Sequence, residues 1–165
     1  MWRLIVLRHA KSAWPDVRDV ERPLAARGLR DAPAAGRWLL DHELVPDHAI
    51  CSPARRAAET WELASAEWPE APPVVHDPRV YEADANGLVD VLRTVSPTAG
   101  TVLLVGHQPV LAELVLALAD RDPGAPAPRP VTRTSTGSGR SSPPAPSQCS
   151  RRPRPGRGCA RGRPG

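Results

Sequence analysis

The chain has 165 residues, 41% of them hydrophobic, enough for one domain with a sizeable core but not for two. Its net charge of +4 hides a split: residues 1–120 carry 12 Lys and Arg against 17 Asp and Glu, whereas residues 121–165 carry 10 Arg against Asp122 alone, so the basic pI is no argument for nucleic-acid binding by the body. No apolar run reaches the ~18 residues of a membrane span, the run after Met1 is too short for a signal peptide, and Cys51, Cys149 and Cys159 offer neither a metal-binding spacing nor a disulfide framework. A cytoplasmic protein without metal or cofactor is expected.

Residues 2–7 are apolar apart from Arg3 and suit a strand buried on both faces of a parallel sheet. Ala32, Ala35, Gly36, Leu39 and Leu40 then recur at helical spacing, with Pro33 expected to start or kink a segment. Ile50-Cys51 reads as a second short strand. A helix follows, with Ala54, Ala57, Ala58, Trp61, Ala64 and Ser65 on one face. Val74-Val75 is a weak third strand. Leu88, Val91, Leu92 and Val95 mark another helix, and residues 101–105 (TVLLV) are a strong fourth strand. Val110–Ala119 is apolar almost all round, as a buried helix would be. Strands alternating with helices predict an α/β sheet covered on both faces.

Past Asp122 this patterning stops. Residues 121–165 hold 10 of the 21 prolines and 7 of the 12 glycines, and their only large aliphatic residue is Val131. Such a stretch buries too little apolar surface to offset its ordering entropy. A domain over residues 1–121 and a disordered Pro/Arg/Gly/Ser-rich tail over 122–165 are therefore expected. One Lys, one Asn and no Phe point to a GC-rich coding sequence, and such a gene read out of frame gives this tail composition. The rival reading is a basic arm for nucleic acid or acidic lipid. No aromatic residue interleaves its arginines, so base stacking is unsupported, and neither a nucleic-acid nor a membrane partner is expected.

Chemistry-bearing residues recur where strands end. Arg8-His9 follows the first strand, Ser52-Pro53-Ala54-Arg55-Arg56 the second, Tyr81-Glu82 the third and Gly106-His107 the fourth. Ligands of parallel α/β sheets bind at the C-terminal strand ends. Arginines and histidines gathered there form a trap for a phosphoryl group, and a neutral imidazole is a competent nucleophile. Helix N-termini at Pro53 and near Ser12 are expected to add N–H donors. Taken singly, each residue is an ordinary loop histidine or a solvated charge. The recurrence after successive strands carries the signal. His42, His48 and His76, lying among charged or Pro-rich residues away from strand ends, receive no role. The tryptophans are read as packing residues, with Trp14 at the pocket mouth as the open alternative.

Residues 4–12 (LIVLRHAKS), Arg22-Pro23-Leu24 with Gly28, residues 52–60 (SPARRAAET) and 105–109 (VGHQP) together resemble the histidine phosphatase superfamily, and within it the SixA-type phosphohistidine phosphatases. The resemblance covers roughly residues 1–120. Ala10 stands where the superfamily usually has Gly, a variant that resembles the small branch. The resemblance implies a three-layer α/β/α sandwich of the phosphoglycerate-mutase-like type with a mainly parallel sheet. It also implies metal-independent hydrolysis through a phosphohistidine intermediate. His9 matches the nucleophile, and Arg8, Arg55 and His107 match the phosphate pocket. Arg22 matches a further basic residue. Ser12 is carried as a phosphate hydrogen-bonding residue or a cap, and Glu82 as the acid, with Asp84 as its alternative. Arg56 does not match and reads as a surface arginine. Family members continue past the last helix with a further strand, which this chain is expected to lack. The implied partner is a protein bearing phosphohistidine. The alternatives are a small phosphomonoester or sugar phosphate, and a non-catalytic binding module dominated by its basic arm.

Overall fold

Four short strands pair in parallel in the order β1-β4-β2-β3: β1 Arg3–Arg8, β2 His48–Cys51, β3 Val74–His76 and β4 Thr101–Gly106. Five helices lie between and after them: α1 Ala26–Asp41, α2 Arg55–Ser65, α3 Arg79–Glu82, α4 Ala85–Leu92 and α5 Val110–Arg121. This computed structural model describes residues 3–121. The expected disordered tail and the expected missing strand lie outside the described residues.

Side-chain alternation along the strands divides the core into two layers. Val102, Leu104 and Ile50, with Leu4 and Val6, face Val80, Leu88, Leu111 and Leu114 of α3, α4 and α5. Leu103, Val105, Ala49 and Cys51, with Ile5 and Leu7, face Leu39, Ala57 and Trp61 of α1 and α2, together with Trp68. The result is the three-layer α/β/α sandwich. Among the described residues no helix is long and apolar enough to cross a membrane.

Three local expectations are corrected. β1 is only half buried, because β4 is its one neighbour among the described residues; β2 and β4 are buried in all but their first residue. Helix α1 runs unbroken through Pro33. Leu29, whose carbonyl Pro33 leaves without a helical donor, is half exposed on the solvent side, so the lost bond can be made to water. Helix α5 is not buried all round: Leu111 and Leu114 are buried but Leu116 is 62% exposed, because an outer-layer helix touches the sheet along one stripe.

Close backbone contacts fix α1 in place. A Cβ on Gly36 would lie 2.1 Å from the Ala64 carbonyl oxygen of α2, and one on Gly28 would lie 2.2 Å from that of Lys11 in the loop after β1. The same Lys11 carbonyl accepts from Ala25 N–H, and Ser12 pairs with Leu24. Backbone cannot move aside as a side-chain tip can. Gly28→Ala is therefore expected to cost about 1–3 kcal/mol of stability, read as a lowered midpoint in denaturant unfolding. An unchanged midpoint would contradict this packing.

Candidate active site

The site grows from the C-terminal edge of the sheet. His9 N–H donates to the Gly106 carbonyl and Ser52 N–H to that of Val105, each carrying the strand ladder one residue further. The exits of β1, β2 and β4 are thus side by side. The loop after β1 is tied down from α2: Ala10 N–H donates to Thr60 Oγ1 at 3.0 Å, and that hydroxyl donates to the Arg56 carbonyl at 2.6 Å.

The two imidazoles have defined tautomers. His9 Nδ1 lies 2.7 Å from the Ala10 carbonyl oxygen, which can only accept, so Nδ1 carries the hydrogen and Nε2 the lone pair. His107, its ring centroid 5.1 Å from that of His9, has Nδ1 3.4 Å from Arg56 Nη2, which can only donate. Its hydrogen is therefore on Nε2, which donates to Ser52 Oγ at 2.8 Å. Burial, and after it the Arg56 charge, lowers His107 to about 4. Burial also lowers His9, partly opposed by the Ala10 carbonyl and reinforced by Arg56, Arg8 and Arg22. Both rings are predominantly neutral at pH 7.

Three arginines surround this pair. Arg8, at the end of β1, is exposed and forms no ion pair among the described residues. Arg56 and Arg22 have side chains only 8% and 9% exposed. Arg22 is held on every nitrogen: Nε donates to the Ala13 carbonyl, Nη2 to Ser12 Oγ and Nη1 to Asp19. The Trp14 ring covers it, 3.3 Å from guanidinium carbon to ring centroid. Asp19, in a single 3-10 turn Asp19–Glu21, also accepts from Arg56 and from the Tyr81 hydroxyl. These donors, Arg22 foremost, hold its carboxyl well below the usual carboxylate range.

The structure thus brings together His9, His107, Arg8, Arg22 and Ser12. It does not bring in Arg55, which the sequence reading put in the pocket in place of Arg56. Arg55 points outward and pairs with Glu59 at 2.7 Å, with 59% of its side chain exposed. The reason is helix phase: Arg56, Ala57, Thr60, Trp61 and Ala64 form the buried face of α2. The charged i,i+4 pair Arg55–Glu59 was the visible sign of the solvated face. Ser12 caps no helix; its hydroxyl accepts from Arg22 Nη2, a bond that leaves the O–H hydrogen able to donate. No helix begins near Ser12, and α2 starts at Arg55 rather than Pro53. Glu82 ends α3 exposed and forms no ion pair among the described residues. Asp84 is the N-cap of α4, accepting from Gly87 N–H at 2.8 Å. Tyr81, one position before Glu82, is the residue of that segment that reaches the cluster; its ring meets the His107 ring edge-on at 5.4 Å. Asp19 carried no sequence signal as a site residue, whereas Ser52, Thr60 and Tyr81 lay within the strand-end and family motifs without being given a role. His48 and His76, set away from strand ends in the sequence reading, open β2 and close β3.

A parallel α/β sheet whose strand ends hold two neutral histidines among arginines defines a phosphate-handling protein. The sequence profile of the histidine phosphatase superfamily (branch 1) matches residues 4–95. An uncharacterized protein of Mycobacterium tuberculosis is 37% identical over 114 residues, spanning 68% of this chain and 70% of the relative. One of Mycobacterium leprae is 35% identical over 117 residues, with the same coverage. Among solved structures, a Nakamurella multipartitia protein assigned as the phosphohistidine phosphatase SixA superposes with TM-score 0.64 at 31% identity, covering 74% of this chain and 72% of that one. A SixA assignment from Agrobacterium tumefaciens gives TM-score 0.66 at 26% identity, covering 75% and 84%. The chain belongs to the histidine phosphatase superfamily, branch 1, and is a phosphatase similar to SixA proteins. The profile match ends before His107, whose place in the site rests on the geometry above.

Proposed function

We propose that the chain hydrolyses phosphohistidine on another protein through a phosphohistidine intermediate on His9. The observation that carries this reading is the His9 tautomer: Nδ1–H is held by the Ala10 carbonyl, which leaves the Nε2 lone pair on a ring beside His107 and within the field of the Arg8 charge. Nε2 attacks phosphorus, the bond from phosphorus to the leaving nitrogen breaks, and the substrate ring, which enters protonated on its other nitrogen, departs as neutral imidazole. Water then attacks the phosphoryl group on His9, releasing phosphate and restoring the neutral ring. Arg8 and Arg56 stabilise the equatorial oxygens of both transition states. The similarity to structures assigned as phosphohistidine phosphatases supports the substrate class. So do the short stretches between motifs, which leave no large lid among the described residues to enclose a metabolite. The reading includes a cytoplasmic setting and no metal. Turnover of a phosphohistidine peptide should exceed that of sugar phosphates by at least tenfold in kcat/KM. The reverse order would replace this substrate with a small phosphomonoester.

Glu82 sharpens the same choice. A departing imidazole needs less help from an acid than an alkoxide does. Glu82→Gln is expected to leave phosphohistidine hydrolysis within about threefold. A loss of the ~10²–10⁴-fold typical of a general acid would place Glu82 at the reacting bond.

The nucleophile must be neutral, and the His9 pKa lies below 6.5 because burial disfavours its charged form. Activity is therefore expected to persist as pH falls through 6.5, with the acid limb of kcat/KM below that value. An acid limb above 6.5 would contradict the described environment of His9.

A further inference from the structure

We infer that Asp19 is a positioning residue that holds Arg56, and with it Arg22, in the orientation needed to receive a phosphoryl group. The inference rests on the reading of this pocket as a phosphoryl site. Arg56 reaches from α2 across to the 3-10 turn, and residue 19 takes the whole outer end of its guanidinium. The Asp19 carbonyl accepts from Nη1 at 2.6 Å, and Asp19 Oδ2 accepts from Nη2 at 2.9 Å. The other edge, Nε with the second Nη2 hydrogen, faces His107, whose Nδ1 at 3.4 Å is a long and weak acceptor. That edge is a parallel pair of donors suited to two phosphate oxygens. Oδ1 of the same carboxylate accepts from Arg22 Nη1 at 2.8 Å, and the Tyr81 hydroxyl, donating at 2.8 Å, fixes the carboxylate from a third direction.

A carboxylate beside a phosphate site has two opposed effects, since it repels the dianion and orders the cations that bind it. Geometry decides between them. The Asp19 side chain is 51% exposed, so water screens its charge, whereas Arg56 is nearly fully buried and gives the hydrogen bonds of Nη1 and Nη2 at this end to residue 19. Without the Asp19 side chain, Arg56 keeps one main-chain bond at its tip and can rotate about it, and the donor pair no longer aims at the phosphoryl oxygens. Holding outweighs repulsion.

The test is a double-mutant cycle on the full chain, read by the dissociation constant of orthovanadate as well as by kcat and KM. Asp19→Ala should weaken vanadate binding about tenfold or more, within the coupling range of contacting groups. In an Arg56→Ala background the same change should add less than about twofold. If Asp19→Ala does not fold, Asp19→Asn takes its place in both backgrounds. It keeps the shape but must turn an NH₂ toward one guanidinium, and should show the same coupling with a smaller loss. Equal losses in both backgrounds, or tighter vanadate binding by the Asp19 variants, would overturn the inference. Vanadate coupling without any phosphatase turnover would overturn the hydrolytic reading and leave the role of Asp19 standing. Normal turnover with additive losses would do the opposite.

Discussion

His9→Ala is expected to lower turnover of a phosphohistidine peptide by at least about 10³-fold, because no other group in the pocket can take up the phosphoryl. His107 is the nearest substitute, but its Nδ1 lone pair is directed at Arg56 and its Nε2 carries the hydrogen given to Ser52. The variant should still fold: His9 is half buried, and its structural bond to Gly106 is made by its backbone. Steady-state kinetics with matched melting curves check this. Retention of a tenth or more of wild-type kcat would remove His9 from the chemistry. Chelator should leave the wild-type rate unchanged, since every step assigned above uses side chains and water.

The second large effect separates two adjacent arginines. Arg56→Ala should reduce kcat/KM by about 10²–10³-fold, the scale for losing a preorganised donor to developing charge. It also strands Asp19 without one of its donors and removes the nearest donor to His107. Arg55→Ala should change kcat/KM by less than about twofold. The Arg55–Glu59 pair is an exposed i,i+4 ion pair of the kind worth about 0.3–0.5 kcal/mol. Comparable losses in the two variants, or a larger one in Arg55→Ala, would mean that α2 presents a different face to the substrate.

The contrast between these neighbours shows what a sequence can and cannot tell. Apolar runs and helical spacing were enough to order β1 to β4 and to give a sheet covered on both faces, because burial alone writes those patterns. The rule that strand ends carry ligands in parallel sheets led to Arg8, His9 and His107. Choosing between Arg55 and Arg56 needed the phase of α2 to within one residue, about 100° of rotation. The same one-residue step at α3 turns Tyr81 inward and Glu82 outward. Asp19 was out of reach for another reason: its partners Arg56 and Tyr81 lie 37 and 62 residues away, and no local pattern encodes such a meeting. Pro33 was read from its intrinsic preference, but a half-exposed turn lets the helix continue past it.

A phosphoryl group on His9 is the central claim, and trapping it is the most direct measurement. Enzyme mixed with phosphohistidine peptide and quenched in alkali within the first turnovers should carry one phosphoryl group per chain. Peptide mapping by mass spectrometry should locate it on His9, and brief acid treatment should remove it, as expected of a phosphoramidate but not of a phosphoserine. Label on any other residue, or full turnover with no phosphoenzyme detectable at any quench time, would contradict the account.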